Sequence, residues 1–323
     1  LDGDAKYAAL LGAIGVETLH GKFAGSVRRV LRERGPTLDA IMFCRHYIAS
    51  QYVGSVRTLA PNARIVFDTV DLHFVREERE ATLHANAAMK QAAAVTRVRE
   101  LGVVAQSDVT LVVSAFEKNL LAEIAPKAIV EIVSNIQPLV PEPPPFARRQ
   151  GIVFIGGFRH PPNVDAVVWY AREVLPILRT LLPGVNTSII GSNMTDGIRA
   201  LAQPGLDLVG FVEETAPWLN GARVSIAPLR YGAGVKGKVN EAMNYGVPVV
   251  ATGCAVEGMY LVADRDVLVA DDAAGFAAAI VRAYNDETLW NQLSAAGRDN
   301  LRQHFSPDAA APTVRRVFAA RGK

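Results

Sequence analysis

Cysteine is nearly missing from this sequence of 323 residues: Cys44 and Cys254 are the only two. They lie too far apart for metal-ligand spacing, and both fall in or beside apolar runs. Buried free thiols in a reducing compartment are therefore expected, which excludes a disulfide-stapled secreted scaffold. No uninterrupted apolar run approaches the roughly 18 residues that a membrane helix needs. The acidic opening residues also lack the apolar core of a signal peptide. Charge of one sign is not in excess: the formal net charge is +2, which argues against a nucleic-acid binder with its concentrated basic face. The P-loop fingerprint GxxxxGK(S/T) is absent. What remains is 50% hydrophobic and 20% charged, ordinary for a soluble α/β chain long enough for two cores. The expected location is cytoplasmic, with at most peripheral contact at the inner face of a membrane.

Residues 223–258, RVSIAPLRYGAGVKGKVNEAMNYGVPVVATGCAVEG, organise the rest. Val224 to Ala227 read as a buried parallel strand closed by Pro228. A loop with Gly232, Gly234 and Gly237 follows, with Lys236 and Lys238 beside those glycines. A helix from Lys238 to Tyr245 is then stopped by Gly246 and Pro248, and Val247 to Ala251 form the next strand. Glycines let backbone N–H groups approach an anion, and a helix N-terminus adds unpaired donors and partial positive charge. Glu241, one turn beyond Lys238, suits a pair of vicinal hydroxyls such as those of a ribose. Diphosphate plus ribose is half of a nucleotide-sugar. A solvated strand-to-helix turn with idle lysines fits the same spacing.

The stretch PLRYGAGVKGKVNEAMNYGVPVVAT closely resembles the donor-binding motif of GT-B glycosyltransferases, in particular the retaining, nucleotide-sugar-dependent family 4. The segments FDTVDLH, LVVS, VFIGGFRHPPNVDAV, IIGS, LVGFV and FSPDAA follow in that family's order. The resemblance implies an α/β, GT-B architecture of two Rossmann-like domains with parallel sheets facing across a cleft. It implies transfer of a hexose from a nucleotide diphosphate sugar to an acceptor hydroxyl on a saccharide or lipid-linked saccharide. Retention of configuration, no metal and no cofactor beyond the donor substrate are implied with it. Lys238 and Lys236 would stabilise the leaving diphosphate, and Glu241 would hold the ribose. One position departs from the family: its common form has an earlier glutamate where Ala233 stands here. Backbone at Ala233 and Gly234 would then face the donor sugar. Two rival readings are a nucleotide-sugar epimerase and a non-catalytic or regulatory GT-B domain of a larger protein.

Elsewhere the chain alternates strand and helix. Ala5 to Ile14 reads as a helix and Val16 to Leu19 as a short strand. Because the opening lies mid-element, the sequence reads as part of a longer polypeptide lacking the first β-α-β of its N-terminal domain. Ser26 to Arg34 is a basic helix, and Asp39 to Cys44 is a strand followed by His46, read as a solvated loop histidine or an acceptor-site residue. Ala63 to Thr69 is a strand whose end crowds Asp68, Asp71, His73 and Arg76; His73 aligns with the family's cleft histidine. Glu77 to Leu101 reads as one long helix with Arg97, Arg99 and Glu100 on an exposed face. Ser114 with Glu117 reads as a capping box.

Five prolines in residues 137–149 mark an extended linker. The expected division is an incomplete N-terminal, acceptor-side domain at 1–140, with 307–323 packing back on it. A linker at 141–150 and a C-terminal nucleotide-sugar domain at 151–306 complete it. After strand Ile152 to Ile155, the Gly156–Gly157 pair offers a second backbone approach to phosphate, and Arg159 could pair with the diphosphate or lie idle on the surface. Asn163 is expected to cap a helix running to about Leu182. By resemblance, Gly210, Phe211 and Val212 hold the nucleobase, although Phe211 also fits a core position.

Overall fold

The computed structural model describes residues 5–19 and 26–319. Strands β1 (Ala40–Cys44), β2 (Arg64–Asp68), β3 (Val109–Val112) and β4 (Val130–Ile132) form a parallel sheet in sequence order. Their apolar runs bury residues such as Ile65, Phe67, Leu111 and Val112 on both faces, as a parallel sheet sandwiched by helices requires.

The second sheet has strands β5 (Ile152–Ile155), β6 (Thr187–Ile190), β7 (Leu206–Gly210), β8 (Val224–Ala227), β9 (Val249–Ala251) and β10 (Leu268–Val269). Its order is β10-β9-β8-β5-β6-β7, and every pairing is parallel. Strand order therefore reverses between β5 and β8. In an open parallel sheet the crevice beyond the carboxyl ends at such a reversal is where ligands bind. The loops at 156–160 and 228–236 leave the sheet there.

Arg149 ties the linker to the second half. Its guanidinium is fully buried and donates to the carbonyls of Pro144, Leu219, Ala222 and Tyr245, with Trp290 stacked beneath it. The last helix, Pro307–Phe318, is capped by Ser306. It returns to the first sheet and buries Val317 against Val66, Val109 and Leu111.

Several local expectations are corrected. Residues 16–19 form no strand; Val16 and Leu19 are exposed, and among the described residues no strand pairs with them. The long helix is two, His73–Leu83 and Ala87–Gln106. Ala85 turns through the left-handed region, and the Asn86 side chain caps the second helix on the amides of Ala88 and Met89. Glu100 is not on an exposed face but completely buried. Cys44 is exposed and Cys254 half-buried. His46 is buried at the start of helix His46–Leu59. Asn163 is not a cap: the helix begins at Pro161, and the Asn163 side chain turns back into the preceding loop.

Candidate active site

The site is assembled from both halves. From the second, β8 runs out through Leu229 and Tyr231 into the glycine loop, and helix Gly237–Asn244 follows. Gly234 has φ +66°, and a Cβ there would sit 3.0 Å from the Asp71 Cβ of the first half. Glycine is required on both counts, by the left-handed backbone and by the close approach. The loop is further held across the gap by Arg79, which donates to the Gly232 carbonyl at 2.8 Å and forks onto Glu257. Asn135 donates to the Val235 carbonyl, and Tyr231 donates to Glu80.

Between the halves lies a cleft of about 500 Å³. Its first-half wall is Arg45, Tyr47, Val70, Asp71, His73 and Arg76, and its second-half wall includes His160, Asn163, Ala233, Lys236 and Lys238. Lys238 is the central cation. Its ammonium bonds to the Asn163 side-chain oxygen and lies 4.2 Å from the centre of the Phe154 ring. The Gly156 backbone is pressed against it: a Cβ at Gly156 would fall 2.9 Å from the Lys238 Nζ. Burial, followed by the neighbouring Lys236, pushes the Lys238 ammonium down to about 7. An anion entering the cleft would reverse that penalty, because an opposite charge favours the protonated form.

Lys236 is turned differently. Its ammonium is buried and donates to the carbonyls of Ala233 and Gly234 at 3.0 and 2.6 Å, locking the loop on itself. Desolvation lowers its pKa. Of the two lysines, Lys238 is the one whose ammonium bonds a side chain rather than its own loop.

His73 opens helix His73–Leu83 and is buried at the cleft wall. Its Nδ1 lies 3.0 Å from the Asp71 carbonyl oxygen, and Asp71 also pairs with Arg76. Burial lowers the His73 pKa, and the Asp71 carboxylate opposes that shift. The His46 ring stands edge-on at 4.9 Å and is pushed down to about 4, chiefly by burial and then by His73. Both imidazoles are neutral at neutral pH, and of the two His73 lines the cleft.

The remaining expected residues are spread outward. Glu241 does not line the cleft; it accepts from Thr215 Oγ1 at 2.5 Å, beside the loop that follows β7. Phe211 projects from that loop and is 72% exposed, so the core reading of Phe211 is wrong. Gly157 and Arg159 are exposed outside the cleft lining. The glycine that matters for close packing is Gly156, and a Cβ at the adjoining Gly191 would come 2.0 Å from its carbonyl oxygen. Sequence reasoning named Gly156 with Gly157 as a backbone approach and Asn163 only as a helix cap, and it missed Tyr231 and Asn135. The polar partners carry no sequence mark.

Two facing α/β units with a site at the strand-order reversal define the GT-B class, and solved GT-B structures share this fold. HepE from Anabaena, solved with UDP-glucose, is 12% identical with a TM-score of 0.73, covering 99% of this chain and 90% of that one. Sucrose-phosphate synthase from Thermosynechococcus elongatus is 19% identical with a TM-score of 0.71, covering 95% of this chain and 84% of its own. A variant of S. aureus TarM, solved with UDP and α-GlcNAc-glycerol, is 12% identical with a TM-score of 0.67, covering 85% of this chain and 59% of its own. Residues 149–286 match the family described as "Glycosyl transferases group 1". That match falls within the second half of the molecule and covers less than half of the chain. An "Uncharacterized 44.6 kDa protein in cps region" of Klebsiella pneumoniae is 26% identical over 140 residues, which is 40% of this chain. The chain spans 36% of that relative's length. Among the described residues no helix is long and apolar enough to cross a membrane.

Proposed function

We propose that this chain transfers a hexose from a nucleotide diphosphate sugar to an acceptor hydroxyl on a saccharide or lipid-linked saccharide. The observation that carries the reading is Lys238, an ammonium held by Asn163 over the Phe154 ring at the strand-order reversal, in the same cleft as His73. Such a group gains most from a substrate that brings negative charge. The acceptor oxygen bonds to the sugar C1 while the bond from C1 to the diphosphate breaks. The acceptor's proton leaves with the diphosphate. Charge then gathers on the leaving group beside Lys238, which lowers the barrier where the charge develops. One charge-assisted contact of this kind contributes about 1.5–3 kcal/mol.

In this reading Lys236 shapes the loop and the backbone at Ala233 and Gly234 faces the sugar. Gly157 and Arg159 stand at the phosphate side of the mouth. Glu241, beside Thr215, takes the ribose, and the exposed Phe211 stacks on the base. His73 hydrogen-bonds a sugar hydroxyl from the first half. Retention of configuration, independence of metal, a cytoplasmic location and a role in polysaccharide assembly complete the proposal. Support for UDP as the first nucleotide to try comes from the ligands of HepE and TarM.

The test is a thermal-shift panel of UDP, GDP, TDP, ADP and CMP. A ligand at 100 times its Kd adds about 2.7 kcal/mol of stability. One diphosphate should stabilise the native chain and fail to stabilise Glu241→Ala. If none does, the donor reading is withdrawn in favour of a non-catalytic domain.

A further inference from the structure

The segment joining β2 to helix His73–Leu83 supplies Val70, Asp71 and His73 to the cleft, and its backbone is under strain. Val70 sits at φ +66°, a conformation that a β-branched residue adopts only when its surroundings impose it. Four amides of this segment are held by carboxylates. Val70 N donates to Asp68 Oδ1 at 2.9 Å, and Leu72 N donates to Glu117 Oε1 at 3.0 Å. His73 N and Phe74 N donate to the two oxygens of Glu100, at 3.3 and 3.1 Å. The other Glu117 oxygen accepts from Val113 N at 3.0 Å, at the end of β3.

Glu100 and Glu117 are both 0% exposed. Among the described residues neither has a lysine or arginine within ion-pair distance; the ionisable base beside Glu100 is the neutral His73 ring, with Nδ1 at 3.7 Å. Burying two such carboxylates is a costly way to cap a helix, since a local Ser, Thr, Asn or Asp does so at the surface. Leu72, the residue at the cap position, has no side-chain bond to offer. The two carboxylates come from different helices, Ala87–Gln106 and Ala115–Ile124. They therefore fix the segment's position against the first sheet as well as satisfying its donors. Burial raises Glu100 to about 8 and Glu117 to about 7, and the bonds from Phe74, His73, Leu72 and Val113 oppose that rise.

We propose that Glu100 and Glu117 are positioning residues, a buried brace that holds the strained Val70–Phe74 segment so that His73 faces the donor lysine. The consequence for the reaction rests on the function proposed above; the consequence for the His73 ring does not.

The test uses the full chain with Glu100→Gln and Glu117→Gln, each isosteric, and Glu123→Gln on the exposed side of helix Ala115–Ile124 as control. Three quantities are measured: UDP affinity by calorimetry, glucose release from UDP-glucose, and the ring resonances of His73 by NMR. The brace predicts UDP affinity within about twofold of native, because the donor loop belongs to the other half. Turnover should fall by about tenfold to a hundredfold with KM little changed, the scale of a small misplacement of a reacting group. The His73 resonances should shift in both Gln variants and not in the control. A lowered melting temperature with native turnover and native His73 resonances would reduce the pair to a structural cap and overturn the proposal. Should one variant fail to fold, the other carries the same three measurements. If the native protein neither binds UDP nor releases glucose, the functional reading fails, and the His73 resonances alone decide the brace. Shifted resonances support it and unchanged ones overturn it.

Discussion

Raising the pH across neutrality should weaken donor binding through one residue, Lys238. In the free cleft its ammonium titrates at about 7, pushed there by burial and by Lys236. Below pH 7 the group is charged before the ligand arrives. Above pH 7 it is neutral and must take up a proton when a diphosphate binds. Affinity should be flat on the acid side and fall about tenfold per pH unit on the alkaline side, until the pH reaches the raised pKa of the complex. At pH 8.5 about 3% of free Lys238 is charged, which weakens binding by about thirtyfold, or about 2 kcal/mol. The assay is calorimetry with a nucleotide-sugar at pH 6.5, 7.5 and 8.5, at fixed ionic strength because exposed charges are screened by salt. Two buffers of different ionisation enthalpy report proton uptake, which should approach one per complex at pH 8.5. Lys238→Gln should bind weakly and without this slope. A pH-independent native affinity, with no proton taken up, would refute the placement of the diphosphate at Lys238.

Two further substitutions separate stability from binding. Arg149→Ala removes four hydrogen bonds to carbonyl groups, two of them fully buried, and the stacking on Trp290; the acceptors left unpaired should cost about 3–5 kcal/mol by urea unfolding, and a loss under about 1 kcal/mol would mean that the linker is held by something else. Phe211→Ala should leave the melting temperature unchanged, since the ring is 72% exposed, while nucleotide affinity falls by about 1–3 kcal/mol, the usual worth of one base stacked on an aromatic ring. Native affinity in that variant would remove Phe211 from the base site.

The glycine loop was plain in the sequence because its chemistry is local. Glycines, lysines and the Gly246–Pro248 stop lie within a few residues, and β8 and β9 are continuous apolar runs because both faces are buried. His73 was found by resemblance, and its position at the cleft wall follows from the end of β2. What stayed hidden is written in pairs distant along the chain. Glu100 sits in an alanine-rich helix among Arg97 and Arg99, where composition favours a solvated face. Its partners are backbone amides at His73 and Phe74, which no residue type announces. Glu117 was legible as a helix-capping residue because its own amide does bond Ser114. Its carboxylate turns instead to Leu72 and Val113. The exposure of Cys44 follows from alternation along β1: Phe43 faces the core, while Met42 and Cys44 point to the face left open. A run of apolar letters does not reveal which face lacks a cover. Local pattern therefore located the half of the cleft built from one continuous loop, and left unseen the half whose geometry is imposed from other helices.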